Sequence, residues 1–453
     1  MILPNYFLAD LPPEATLSPA MIEDACRTLK RNREQYLARR STADLVRLIA
    51  EVAESWLSAD YPFRKLALEN GPRLTGFSAG TLSTGLDNFF RAITAENLKA
   101  LLVQEFGHAQ RLDSVSATIP EQLARRAGLV TGPEFLVHIA AGGIPNPAMT
   151  SIIFGILLRS AQFVKCARGS SYLVRLFAHS LYDADAKLGA CLEIAEWPGG
   201  TAHLEAILFE EANCVTATGS DETLKKIRGQ VPISCRFVGH GHRVSFGFVA
   251  QDSLSGFSAQ KVAARAAADV VAWNQIGCLS PHVIYVEHGG GMNAEQFAEL
   301  LGQQLEKREQ TEPRGELPAE TAAVIAAKRA FYEVRAAHSP ETRHWCSANS
   351  TAWTVIYEAD PRFQLSCLNR FIYVKGVTSL AEALQNADGI RGKVSTVGVA
   401  AGEERMLEIA AEAGRWGATR VCPLGQMQNP PLLWRHDGQP ALAELATWTD
   451  VEL

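Results

Sequence analysis

Between Ser18 and about Leu57, apolar residues return at three- and four-residue steps: Met21, Ala25 and Leu29, then Leu45, Leu48, Ile49, Val52 and Ala53. That spacing predicts helix, and Ser18 followed by Pro19 supplies a cap and a first turn. A second helical stretch is predicted over roughly Leu86 to Phe106. After Val130 the texture changes to short apolar runs separated by turn residues. Phe135 to Ala140 reads as a strand, Gly142-Gly143-Ile144-Pro145-Asn146-Pro147 as a turn, Ala148 to Ser160 as a helix, and Gln162 to Cys166 as a second strand. Strand, glycine-rich turn, helix and strand is the sequence form of a parallel βαβ unit.

The alternation continues to the C-terminal region. Helix is predicted over Ser171–Lys187, Glu222–Arg228, Ala259–Trp273, Ala294–Glu309, Ala319–Ala337 and Glu403–Gly414. Strands are predicted at Asn213–Thr218, Ser234–Val238, His282–Glu287, Thr351–Tyr357, Arg370–Val374, Lys393–Val399 and Thr419–Cys422. No unit of 20–50 residues repeats, which excludes solenoids and propellers. The expected architecture is α/β, with a helical layer and cofactor domain over 1–244, a catalytic domain over 245–430, and a tail over 431–453 open to a role in oligomer contacts.

Composition narrows the class. At 47% hydrophobic and 20% charged, the 453 residues can bury substantial cores without disulfides or metal. A formal charge of −6 argues against general nucleic-acid binding. No apolar run approaches the ~20 residues that span a bilayer. Met1-Ile2-Leu3-Pro4-Asn5 has neither a basic n-region nor an apolar h-region, so no secretory signal is expected and a cytoplasmic location follows. The nine cysteines, with no C-x-x-C pair, are then expected as reduced thiols, mostly packed as small hydrophobes.

One cysteine has a distinctive setting. Trp273-Asn274-Gln275-Ile276-Gly277-Cys278 follows a long helix and precedes an apolar strand, with Gly277 suited to a tight turn or a close approach. This run resembles the nucleophile turn of the aldehyde dehydrogenase superfamily. Ile144-Pro145-Asn146-Pro147 is similar to the loop whose asparagine amide helps hold the oxyanion, and Phe163 to Arg168 to the strand end whose lysine binds the adenosine ribose. Thr218-Gly219-Ser220-Asp221-Glu222 is similar to the loop and helix start beneath the cofactor pyrophosphate. The run from Gly417 to Gly425, and on from Pro430 to Gly438, resembles the LuxC-type acyl-CoA reductases of that superfamily, as do Asn369-Arg370 and Val238–Phe246.

The resemblance implies an aldehyde-dehydrogenase-like fold with a Rossmann-like cofactor domain, an oligomer, and reduction of an acyl thioester to an aldehyde. Cys278 would be the nucleophile and Asn146 an oxyanion donor. Lys165, Arg168, Gly219 and Ser220 would bind the cofactor, and His240 and Gln275 would line the substrate cleft. Gly239 stands where ordinary aldehyde dehydrogenases carry the glutamate that activates water. Loss of that base disfavours hydrolysis and suits a reductase. The acyl donor would be acyl-CoA or an acylated carrier or synthetase protein.

Several alternatives stay open on the sequence alone. His240-x-His242 could suit a metal, but without a carboxylate or cysteine at ligand spacing none is expected. Gly289-Gly290-Gly291 lacks the lysine of a phosphate loop and reads as a turn. His436 and Asp437 could complete a Cys-His-Asp set with Cys278, which keeps a cysteine acyltransferase or thioesterase in view, beside a non-catalytic acyl-binding scaffold. Arg168 can fork onto a 2′-phosphate, which favours NADPH over NADH. An Arg168→Glu variant is therefore expected to lose NADPH preference, read from cofactor absorbance with each nucleotide; an unchanged ratio removes the role.

Overall fold

The computed structural model describes residues 3–12, 14–140 and 142–453, so the N-terminal reading at Met1 and Ile2 lies outside the described residues. The helical opening is built from Pro19–Tyr36, Thr42–Leu57, Pro62–Thr75, Ala79–Arg91 and Ala95–Phe106. The two long expected helices are each broken by a new cap. Ser41 Oγ accepts from the Asp44 N–H and starts a second helix, and Thr94 does the same with Asn97.

Strand β1 (Arg126–Thr131) leads into five parallel strands: β2 (Phe135–Ala140), β3 (Ala161–Cys166), β4 (Leu192–Glu196), β5 (Cys214–Thr218) and β6 (Arg236–His240). Their spatial order is β4-β3-β2-β5-β6. The chain thus winds outward from β2, then returns to its other side, which puts a topological switch point between β2 and β5. One face buries Leu136, Val164 and Cys166 against Ile152, Phe177 and the N-terminal helical layer. The other buries Phe135, Phe163 and Val215 against Ile22, Leu208 and Phe209.

The chain leaves β6 at His240 and enters β7 (Val244–Val249) of a second sheet after only residues 241–243. The later strands are β8 (Pro281–Glu287), β9 (Thr342–Cys346), β10 (Thr354–Glu358), β11 (Phe371–Val377), β12 (Val394–Ala400) and β13 (Arg420–Pro423). Their order is β13-β12-β7-β8-β11-β10-β9, parallel except that β9 runs antiparallel to β10. Helices Phe257–Val271 and Ala294–Thr311 cover one face, and Ala319–His338, Leu380–Asn386 and Glu403–Trp416 the other. The last strand, β14 (Thr447–Glu452), returns to pair antiparallel with β1.

The pattern of apolar runs missed β1, β4, β7, β9 and β14. Four of the five are sheet edges or belong to the two-stranded sheet, where side chains meet water and polar residues are tolerated. β7 is central and fully buried, but glycine and serine within Val244–Val249 interrupt its apolar run.

Two left-handed turns lie side by side in the second domain. Trp273, Asn274 and Gln275 have φ of 50°, 52° and 63°, and Leu368, Asn369 and Arg370 have φ of 62°, 56° and 66°. Each such residue costs energy when it is not glycine, so the surroundings must hold it. Arg370, only 1% exposed, does so. Its Nη2 donates to Asn274 Oδ1 at 3.0 Å, and its Nη1 donates to Glu309 Oε2 and to the Glu312 carbonyl, both at 2.8 Å. Asn274 Nδ2 donates to the Arg314 carbonyl at 2.7 Å. Replacing Arg370 with leucine strands these acceptors, and Arg370→Leu should lower stability by about 3 kcal/mol in chemical denaturation.

Candidate active site

Cys278 sits directly after the first of those turns, at the amino end of β8, and its residue is exposed. The turn is fixed from several sides. Ser245 Oγ donates to the Cys278 carbonyl at 2.8 Å and accepts from the Thr396 N–H at 3.1 Å. Gln428 Nε2 donates to Ser280 Oγ. Buried Asp269 accepts from the Gly425 N–H at 2.5 Å and the Met427 N–H at 2.9 Å, fixing the loop that carries Gln428. Trp273 lies over Gly85, where a Cβ would fall 2.2 Å from the indole ring. The N-terminal helices, which carry no chemistry of their own, therefore brace the nucleophile turn.

Gly277 does not have a left-handed backbone. It is required instead by close approach, since a Cβ there would stand 3.0 Å from the Gln428 carboxamide and 3.1 Å from Ile144. Ile144 belongs to the loop before helix Asn146–Leu157, so the structure brings that loop against the cysteine turn. Asn146 is half-buried at the first position of the helix, and its Oδ1 is buried without a hydrogen-bond partner. The unpartnered atom is an acceptor, so any contact of Asn146 with an oxyanion would have to come from its Nδ2.

Beside this loop, a small cleft opens at the carboxyl ends of β2, β3 and β5, lined by His138, Gly142, Ile144, Ser151, Cys166 and Thr218. It lies at the switch point, where open parallel sheets bind ligands. Its floor is polar but closed: His138 bonds Thr216 Oγ1 at 2.7 Å and Gln162 Oε1 at 3.0 Å. Burial pushes His138 down to about 4, so its ring is neutral.

The expected cofactor residues divide between the two faces of that sheet. Lys165 is buried on the face opposite the cavity, where burial lowers its pKa and the Glu205 carboxylate partly restores it. Its ammonium stands 5.9 Å from the Trp197 ring centroid. Arg168 is exposed and makes no ion pair among the described residues. The Gly219 N–H donates to the His240 carbonyl at 3.1 Å, and Ser220 Oγ caps helix Asp221–Arg228 by accepting from the Thr223 N–H at 3.2 Å. Two cations, a capped helix start and a crevice at the switch point fit a phosphate-bearing dinucleotide.

Gln275 does not reach the cleft. It is fully buried, and its Nε2 donates to the carbonyls of Pro281 at 2.8 Å and Phe371 at 2.9 Å. A left-handed residue turns its side chain inward here, so Gln275 joins β8 to β11 and cannot touch a substrate.

Part of the tail comes back to this place. His240 Nδ1 lies 3.6 Å from Asp437 Oδ2, Arg243 Nε lies 3.4 Å from Asp437 Oδ1, and the His240 and His436 rings stack with centroids 4.2 Å apart. Although the Cys278 residue meets solvent, the protein mass around it and the Asp437 charge push its thiol upward, partly opposed by its own backbone N–H, by Arg243 and by the Leu279 N–H. On sequence, His436 and Asp437 are only open partners for Cys278; the folded chain instead places Asp437 and His436 against His240. β6 also ends at His240, so the His240-x-His242 pair does not share a strand. His242 is exposed, and its N–H donates to Asp221 Oδ1 at 3.1 Å.

The profile of the family described as acyl-CoA reductase (LuxC) matches residues 37–448. The chain belongs to the LuxC acyl-CoA reductase family. A LuxC relative named long-chain acyl-protein thioester reductase 2, from Photobacterium leiognathi, is 23% identical over 327 residues, covering 70% of this chain and 63% of its own length. A long-chain acyl-protein thioester reductase from Photorhabdus laumondii is 20% identical over 415 residues, covering 90% of this chain and 82% of the relative. The chain therefore spans less than two thirds of the length of the first of these.

Solved structures show the fold of this LuxC chain to be that of the aldehyde dehydrogenases. An NADP-dependent glyceraldehyde-3-phosphate dehydrogenase from Bacillus halodurans has a TM-score of 0.71 at 13% identity, covering 97% of this chain and 92% of that one. A bifunctional proline utilization A protein has a TM-score of 0.72 at 16% identity, covering 99% of this chain and 46% of that one. No helix among the described residues is long and apolar enough to cross a membrane.

The close approach at Gly277 generates a test. Because Gln428 is bonded to Ser280 and cannot swing away freely, Gly277→Ala should cost ~1–3 kcal/mol of stability. It should also reduce turnover by ~10²-fold through displacement of Cys278, measured as kcat beside the thermal midpoint.

Proposed function

We propose that the protein reduces an acyl thioester to an aldehyde through a covalent acyl-Cys278 intermediate, with NADPH as reductant. The observation that carries this reading is Cys278, held exposed on a braced left-handed turn against the loop that leads through Ile144 into Asn146. The names of the LuxC relatives support a long-chain acyl group on a protein as donor, with acyl-CoA as the simpler form of the same thioester. The fold supports a cofactor laid over the carboxyl edge of the first sheet, its phosphate-bearing end toward Lys165 and Arg168. Arg168 is free to meet a 2′-phosphate, which favours NADPH. An assembly of several copies is part of the same proposal.

In this reaction the Cys278 thiolate adds to the thioester carbonyl, and the Asn146 amide and the Cys278 backbone N–H hold the oxyanion. Loss of one such donor typically costs ~10²–10³ in rate. The donor thiol departs and the acyl group remains on sulfur. The bound dinucleotide supplies hydride to that acyl carbon. Collapse then releases aldehyde and returns Cys278. Gly239 brings no carboxylate to its place at the end of β6 to activate water. This favours reduction over hydrolysis of the acyl-enzyme.

A second reading has its own support. His240 and Asp437 beside Cys278 are the makeup of a cysteine acyltransferase. The two separate on a panel of acyl-CoAs and acylated proteins with NADPH and NADH. Aldehyde with matched cofactor oxidation supports the reductase, and acyl release without oxidation supports the transferase. Cys278→Ala should abolish both acyl labelling and aldehyde formation; retention of full activity would remove the nucleophile assignment.

A further inference from the structure

We propose that His240, oriented by Asp437, takes the proton from the Cys278 thiol and returns it to the departing thiol of the acyl donor. The inference deepens the reductase reading and rests on it for the second half; the first half concerns the free protein alone.

Cys278 needs a base, because an ordinary thiol is already mostly protonated at neutral pH and the nearby Asp437 charge disfavours its thiolate further. The charges felt by Cys278 are those of Asp437 on the tail and Arg243 on the connection to β7, and the groups packed with them are His240 at the end of β6, His436 on the tail and, beside Arg243 in sequence, His242. His282 lies on β8 itself, where its Nδ1 accepts from the Ser366 N–H at 3.0 Å and burial pushes it down to about 4. Burial and the neighbouring His240 likewise push His436 down to about 4, so it stays neutral. Burial acts to raise Asp437, but the hydrogen bond with His240 and the adjacent His436 and Arg243 outweigh it and hold the carboxyl below its ordinary value. Asp437 is thus a fixed anion and too weak a base for a thiol. His242 is exposed and turned toward Asp221 by its backbone.

His240 remains. Its Nδ1 faces Asp437, its ring is packed flat on His436, and its Nε2 makes no hydrogen bond among the described residues. His240 is 22% exposed at the end of β6, and the two groups whose charges act on Cys278, Asp437 and Arg243, meet each other, with Asp437 also against His240, which puts the imidazole in the neighbourhood of the sulfur. Asp437 is itself locked. It is 6% exposed, has a left-handed φ of 53°, and Arg243 Nε holds its second oxygen. A nucleophile, an imidazole and a third group that orients the imidazole form the arrangement that activates thiols elsewhere.

The same donors lie within 4.8 Å of one another, which by distance alone would suit a metal ion. Ring geometry argues against that use. An imidazole binds a metal in its own plane, and these two rings are nearly parallel, at 11°, and stacked. Two offset parallel planes share no point where an ion could sit, and Arg243 already places a positive charge on the carboxylate.

Atoms balance as follows. The proton moves from Cys278 Sγ to His240 Nε2 as sulfur bonds the acyl carbon. The bond from that carbon to the donor sulfur breaks, and the proton passes from Nε2 to the departing sulfur. No electrons are transferred in this step.

Two measurements on the full chain test the proposal. Alkylation of Cys278 by iodoacetamide, followed by peptide mass spectrometry across pH, should show a reactive component near neutrality that is lost in His240→Asn and weakened in Asp437→Asn. Acylation of Cys278 should slow by ~10²-fold in His240→Asn with an alkyl thioester such as acyl-CoA, and far less with a nitrophenyl thioester, whose thiolate leaves without a proton. Thermal midpoints equal to the parent protein confirm folded variants; should His240→Asn melt early, Asp437→Asn carries the same comparison. Overlapping alkylation profiles, or equal slowing with both donors, would overturn the role. Failure to form aldehyde from any donor would count against the reductase reading and leave the alkylation result intact.

Discussion

The buried Arg370 guanidinium holds together two turns that neither would keep alone. Each contains three consecutive non-glycine residues at positive φ, and the first of them ends three residues before Cys278. Strain of this kind persists where the surroundings over-determine it. Here the surroundings are Arg370 on one side, Gln275 bonded to two strands on the other, and the Trp273 ring pressed onto Gly85 in the helical layer. The position of one sulfur is therefore set by contacts from both domains. Activity and folding of this chain are tied to the same arginine.

Around that point the site is assembled from pieces that are far apart in sequence. The loop at Ile144 reaches Gly277, Ser245 holds the Cys278 carbonyl, and the tail supplies Asp437 to His240. The tail is in turn anchored beyond the site, because β14 pairs with β1 along six residues. A region that reads as an appendage thus has one end in the cleft and the other in a sheet.

Much of this was legible in the sequence, for identifiable reasons. Strands buried on both faces must be apolar throughout, so β2, β3, β5, β8, β11 and β12 stand out as short apolar runs between turns. Edge strands β4 and β9 carry glutamate, arginine and histidine at positions that reach water, and they blend into their surroundings. Cys278 stands out as a candidate through local setting and Asn146 through the resemblance of its loop, because the turn around each is built from adjacent residues. Gln275 was misplaced for the opposite reason: the direction of its side chain depends on a left-handed φ that nothing about Trp-Asn-Gln announces. The pairing of His240 with Asp437 could be imagined but not located, since only the fold brings the tail to β6.

The passage from one sheet to the other at residues 241–243 constrains how the cleft can move. Three residues of extended chain span at most about 11 Å, so the carboxyl edge of the first sheet and the amino edge of the second cannot draw apart. Motion of one domain on the other is confined to rocking about this short tether. His240 stands at one end of it and Ser245, which carries the Cys278 carbonyl, just past the other. Any molecule bound at the candidate site would meet both ends of this tether, so the short connection couples the setting of His240 to that of the Cys278 turn.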